Sequence, residues 1–87
     1  MNDFTFTHTA WQQYLYWQTQ DKKTLKKIND LIEDIRRNGP MKGAGKPEAL
    51  KYASGYSRRI DKENRLVYEI NNKQDIMIKS CKGHYEE

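Results

Sequence analysis

Tyr56-Ser57-Arg58-Arg59-Ile60-Asp61-Lys62-Glu63-Asn64-Arg65-Leu66-Val67-Tyr68-Glu69-Ile70 is the stretch that decides the fold. Residues 56–60 and 65–70 alternate in polarity with a period of two, and Val67, Tyr68 and Ile70 favour a pleated, half-buried surface. Between them Asp61-Lys62-Glu63-Asn64 is a polar turn. Two strands joined this closely form an antiparallel hairpin. Toward the C-terminus, Asn71-Asn72-Lys73 is a second turn, and residues 75–82 alternate again. There Ile76, Ile78 and Ser80 share one face, and Met77, Lys79 and Cys81 the other. Toward the N-terminus the loop at 39–47 (GPMKGAGKP) separates this meander from a region of different period.

Before the loop the period is 3.6. Leu25, Ile28, Leu31, Ile32 and Ile35 fall on one helical stripe. Asp21 is placed to cap that helix, and Asn38-Gly39-Pro40 to stop it, with Arg36 and Arg37 suited to the negative end of its dipole. A shorter helix passes through Trp11, Tyr14, Leu15 and Gln18, capped by Thr7 or Thr9, after a short strand at 3–7. Lys22, Lys23, Lys26 and Lys27 read as the solvated face of the second helix, with Asp30, Glu33 and Asp34 as partners three or four residues away. The expected fold class is α+β, a single domain over residues 1–87. An N-terminal strand is followed by two α-helices that pack on one face of a twisted antiparallel β-sheet, and the other face stays open to water.

The 87 residues carry 16 Lys plus Arg against 12 Asp plus Glu, a net charge of +4. Residues 42–65 hold seven bases and three acids, so this one stretch carries the whole excess. A single cysteine, Cys81, cannot form an intramolecular disulfide, which suits a reducing, cytoplasmic setting. No apolar run approaches the roughly 18 residues of a membrane span, and no Cys/His spacing suggests zinc. The charge pattern points to an acidic partner.

The hairpin brings Arg59 and Arg65 to one surface. Glu48 and Lys51 lead into the sheet, and His84 and Tyr85 follow the last strand. A carboxylate, several cations, an imidazole and a phenol on one face are the parts of a metal-free ribonuclease. One group takes the ribose 2′-OH proton, another protonates the departing 5′-oxygen, and cations meet the charge that grows on phosphorus. The same residues also suit a non-catalytic RNA- or ribosome-binding module, or a basic groove that only docks an acidic peptide. Charge alone does not separate the three.

Taken in order, Tyr14-Leu15-Tyr16-Trp17, Lys26-Lys27-Ile28-Asn29, Gly45-Lys46-Pro47-Glu48-Ala49-Leu50-Lys51, Ser57-Arg58-Arg59-Ile60, Arg65-Leu66-Val67-Tyr68 and His84-Tyr85 resemble the YoeB (Txe) toxins of the RelE superfamily, over nearly the whole chain. The resemblance implies a fold like that of small microbial ribonucleases. It implies a ribosome-dependent endoribonuclease that cuts mRNA in the ribosomal A site, without metal or cofactor. A YefM/Phd-type antitoxin is the implied partner, and a homodimer is compatible. Glu48 then matches the general base, His84 the general acid and Arg65 the arginine that stabilises the transition state. Lys51, Arg59 and Tyr85 match substrate-binding positions, and Lys46 and Arg58 complete that set. The spacer between Lys51 and Ser57 is shorter than the family pattern by roughly two residues, which preserves facing because the side-chain period is two. Asn64 stands where a histidine is common and is expected to be neutral for the chemistry. Gly83 replaces a common aromatic.

Overall fold

The computed structural model describes residues 3–84. Strand β1 (Phe4–Phe6) leads into helix α1 (His8–Gln20). Of the two candidate caps, Thr7 is used. Its hydroxyl oxygen accepts from the Ala10 N–H at 3.1 Å and donates to the Lys79 carbonyl at 3.0 Å, so it starts the helix and ties it to the sheet. Helix α2 (Lys22–Asn38) starts at Asp21, whose carboxylate accepts from the Lys23 and Thr24 N–H groups. These bonds hold the Asp21 carboxyl below its ordinary pKa. Gly39 ends α2 at φ 88°.

Four further strands follow: β2 (Glu48–Ala49), β3 (Tyr56–Arg59), β4 (Arg65–Ile70) and β5 (Ile76–Ser80). The sheet order is β1-β5-β4-β3-β2. The short strand β2 is an addition to the three strands read from the alternation. Its two residues are too few to show a period. The sheet is also mixed where a wholly antiparallel one was expected, because β1 pairs parallel to β5, Phe4 with Ile76 and Phe6 with Ile78. No tight turn joins β1 to its neighbour, so nothing local forces an antiparallel pairing.

The core lies between the helices and one sheet face. Ile28, Leu31, Ile32 and Ile35 of α2 meet Leu66, Tyr68, Ile76 and Ile78 of the sheet, with Ala10 and Trp17 of α1. Cys81 belongs to this buried side, contrary to the simple alternation. The pairing jumps from Val67–Ser80 to Tyr68–Ile78, leaving Lys79 as an extra residue. That irregularity flips the facing of the residues after it. The Cys81 thiol is fully buried 3.7 Å from the Ala10 carbonyl, and burial pushes its pKa up to about 12. Trp17 donates its indole N–H to the Cys81 carbonyl at 2.9 Å, fixing α1 to the end of the sheet. None of the helices among the described residues is long and apolar enough to cross a membrane.

Candidate active site

The face of the sheet turned away from the helices is ordered by strand register. Glu48 pairs with Ser57, Ser57 with Val67 and Val67 with Ser80, which makes one cross-strand row. Two residues along β3, Arg59 pairs directly with Arg65. Two residues advance a strand by about 6.6 Å, so the carboxylate row and the arginine row are neighbours on one face. Like charges directly opposite each other destabilise a sheet. No described carboxylate forms a salt bridge with either arginine. A facing Arg59–Arg65 pair is therefore the geometry of an anion site.

Arg65 is held rigidly without being neutralised. One of its guanidinium nitrogens donates to the Asp61 carbonyl at 2.8 Å and to the Asn64 carbonyl at 3.2 Å. Carbonyls fix the plane of the group and leave its charge available. The other terminal nitrogen lies 3.3 Å from Nε2 of His84. Arginine has only donors, so Nε2 serves as the acceptor in this contact only while the imidazole is neutral.

His84 reaches that position through the preceding residue. Gly83 donates its N–H to the Asn64 side chain at 2.8 Å and accepts from the Arg65 N–H at 3.0 Å. Asn64 is itself held by Asp61, whose carboxylate accepts from the Asn64 side-chain amide at 3.1 Å and from the backbone N–H groups of Glu63 and Asn64, both at 2.8 Å. Desolvation opposes ionisation of Asp61, but these hydrogen bonds and the Arg65 charge outweigh it and keep the carboxyl below its ordinary pKa. Asp61, Asn64 and Gly83 thus form a clamp that sets His84 beside Arg65. Asp61-x-x-Asn64 is readable as a turn that caps its own backbone. The grip on Gly83, 19 residues away, is not, and it gives Asn64 a structural role beside His84.

Lys46, Glu48, Lys51, Arg59, Arg65 and His84 line one cavity of about 240 Å³, together with Ala49, Leu50 and Ser57. Six of the eight site residues read from the sequence thus meet in one place. Tyr85 lies outside the described residues. Arg58 requires correction as a substrate-binding residue, because it is fully buried on the opposite, helix-covered face. It pairs with Asp34 and donates to the Tyr68 hydroxyl and to the carbonyls of Gly39, Lys42 and Ala44. All its donors face inward, so it does not reach a ligand in the cavity.

Fold and site together define a class: a small α+β domain with helices on one sheet face and a cationic cavity with one carboxylate and one imidazole on the other. A model of the YoeB-like toxins of bacterial type II toxin–antitoxin systems matches residues 6–85. Toxin YoeB of Escherichia coli K12 is 49% identical over 82 residues, 92% of this chain and 95% of that protein. The YoeB dimer from Staphylococcus aureus superposes with a TM-score of 0.89 at 49% identity, covering 97% of this chain and 98% of that one. The toxin in a heterotetrameric YoeB–YefM complex from the same organism gives 0.89 at 48% identity, with 98% and 99% covered. The chain belongs to the YoeB-like toxin family.

Proposed function

We propose that this toxin is a ribosome-dependent mRNA endoribonuclease acting in the ribosomal A site. The observation that carries the proposal is the adjacency of Glu48 to the facing Arg59–Arg65 pair, with His84 against Arg65. In the proposed reaction Glu48 takes the proton of a ribose 2′-OH. The 2′-oxygen bonds to the adjacent phosphorus, the P–O5′ bond breaks, and protonated His84 delivers its proton to the 5′-oxygen. The products are a 2′,3′-cyclic phosphate and a 5′-hydroxyl. Arg65 and Arg59 stabilise the charge that accumulates on the phosphoryl oxygens, and Lys46 and Lys51 bind flanking phosphate. No step calls on a metal or cofactor.

A YefM/Phd-type antitoxin is the proposed partner, supported by the complex of the Staphylococcus aureus relative. Self-association is supported by the dimer of the same relative. An antitoxin that brings acidic and apolar residues to the basic face, folding as it binds, would cover the Glu48/Arg65/His84 surface or rearrange the C-terminal residues.

The test is a map of mRNA cut sites after induction, repeated with purified ribosomes and with naked mRNA. Glu48→Ala and His84→Ala are each expected to lower cleavage by roughly 10²–10⁴-fold while preserving the circular dichroism spectrum. Undiminished cleavage by both variants would refute the roles given to Glu48 and His84, whereas translation inhibited by the parent protein without any mRNA cleavage would favour a non-catalytic ribosome-binding module.

A further inference from the structure

A second cavity, about 500 Å³, adjoins the first and shares Lys46, Arg59 and Arg65 with it as a common wall. Its other lining residues are Lys27 of α2, Gly45, Ile60, Asp61 and Lys62. Five cations surround it. None of Lys27, Lys46, Arg59, Lys62 and Arg65 forms a salt bridge among the described residues. The one carboxylate, Asp61, is already engaged by the backbone N–H groups of Glu63 and Asn64 and by the Asn64 amide.

Lys27 is the informative member. The sequence pattern assigned it to a solvated helix face with acidic neighbours. In the fold every acid of α2 is taken by another cation: Asp30 by Lys26 at 2.9 Å, Glu33 by Arg36 at 2.9 Å and Asp34 by Arg58. Lys27 is left facing the cavity. An external anion relieves mutual repulsion within such a cluster, and two cavities with a shared cationic wall suit a chain of anions better than a single one.

We infer that this second cavity binds the phosphodiester backbone of the RNA strand beyond the scissile phosphate, with Lys27 and Lys62 as its contacts. The inference rests on the nuclease reading for its strand and extends it beyond the catalytic residues to a second cavity. An acidic peptide is the competing ligand class. It is disfavoured because the cavity offers no exposed apolar anchor, its one large apolar side chain, Ile60, being buried.

The test uses full-length protein and fully 2′-O-methylated oligonucleotides, which lack the attacking 2′-OH and report binding without chemistry. A dodecanucleotide is titrated by fluorescence anisotropy and a trinucleotide by NMR shifts. The Lys27→Ala/Lys62→Ala variant is expected to bind the dodecanucleotide roughly tenfold more weakly, with a salt slope shallower by about 1.4, the value for two lost phosphate contacts on a single strand. Trinucleotide binding should be unchanged. A charge-matched Lys22→Ala/Lys23→Ala control on the same helix should leave both intact. Equal losses for the two lengths, equal losses in the control, or a loss seen only with an oligo-aspartate peptide would each overturn the inference. Failure of the nuclease reading would instead appear as absence of mRNA cleavage by the parent protein with ribosomes, a separate readout.

Discussion

Arg58 and Arg59 are adjacent on β3 and project to opposite faces of the sheet, one under α2 and the other into the cationic cavity. The inner guanidinium is wholly desolvated and spends its donors on Asp34, the Tyr68 hydroxyl and three carbonyls of the 39–44 loop. It also lies 5.9 Å from the centre of the Tyr68 ring. The loop must pass close over this pair. A Cβ at Gly43 would run into the Asp34 carboxylate, so glycine suits the approach, and its φ of 114° suits glycine as well. That loop then delivers Lys46 and Glu48 to the outer face. The outer guanidinium makes no salt bridge among the described residues and faces Arg65. The same residue type thus organises the loop from inside and remains available to bind an anion outside. The difference is set by whether its charge is satisfied by the protein.

The comparison breaks most visibly in stability. Arg58→Ala leaves Asp34 and several loop carbonyls without their partner and is expected to cost about 3–5 kcal/mol in urea unfolding. Arg58→Lys should rescue little of it, because an ammonium cannot span five acceptors. Arg59→Ala is expected to change stability by less than about 0.5 kcal/mol, while lowering cleavage of ribosome-bound mRNA by roughly 10²-fold, as removal of a transition-state donor does. A large stability loss in Arg59→Ala, or full stability in Arg58→Ala, would collapse the distinction.

The clamp sharpens the outer half of the comparison. Asn64→Ala removes the acceptor for the Gly83 N–H and is expected to cost about 1 kcal/mol of stability. Cleavage should fall by more than that loss explains, with kcat affected and KM nearly unchanged. Asn64→Ala activity equal to the parent would show that His84 is positioned by other contacts.

The smallest effect is a titration. Desolvation opposes ionisation of Asp34, but the Arg58 guanidinium, the Ala44 N–H and the Asn38 amide outweigh it and hold its carboxyl below the ordinary range. A lowered folded-state pKa stabilises the fold above the unfolded value and is lost as pH falls through the folded one. Stability should therefore decline below about pH 4, and Asp34→Asn should flatten that acid limb in pH-dependent denaturation. An unchanged limb would assign the acid sensitivity to other carboxylates, such as Asp61.

Much of the candidate site was legible because it lies in short ordered runs. The alternation of 56–60 and 65–70 puts Arg59 and Arg65 in phase, and a four-residue turn makes them face each other. Arg58 was misassigned although the signal was present. It shares its phase with Tyr56 and Ile60, both inward, and the usual exposure of arginine outweighed that pattern. Asp34, 24 residues away on α2, is the partner that makes its burial tolerable, and no local pattern names it.

By itself the sequence determined the order of every element but β2, the change from helical to strand period at the 39–47 loop, the cap at Asp21, and the residue types of the cavity. These depend on neighbours within a turn of helix or a pair of strands, where side-chain periodicity reports directly on facing. Only the tertiary structure decided that β1 runs parallel along β5, that Cys81 turns inward after the extra residue at Lys79, that Arg58 is buried against Asp34, and that Lys27 is left over to line a second cavity. Each depends on contacts between segments far apart in the chain. There, facing is set by which surfaces pack and which charges find partners, and periodicity carries no record of either.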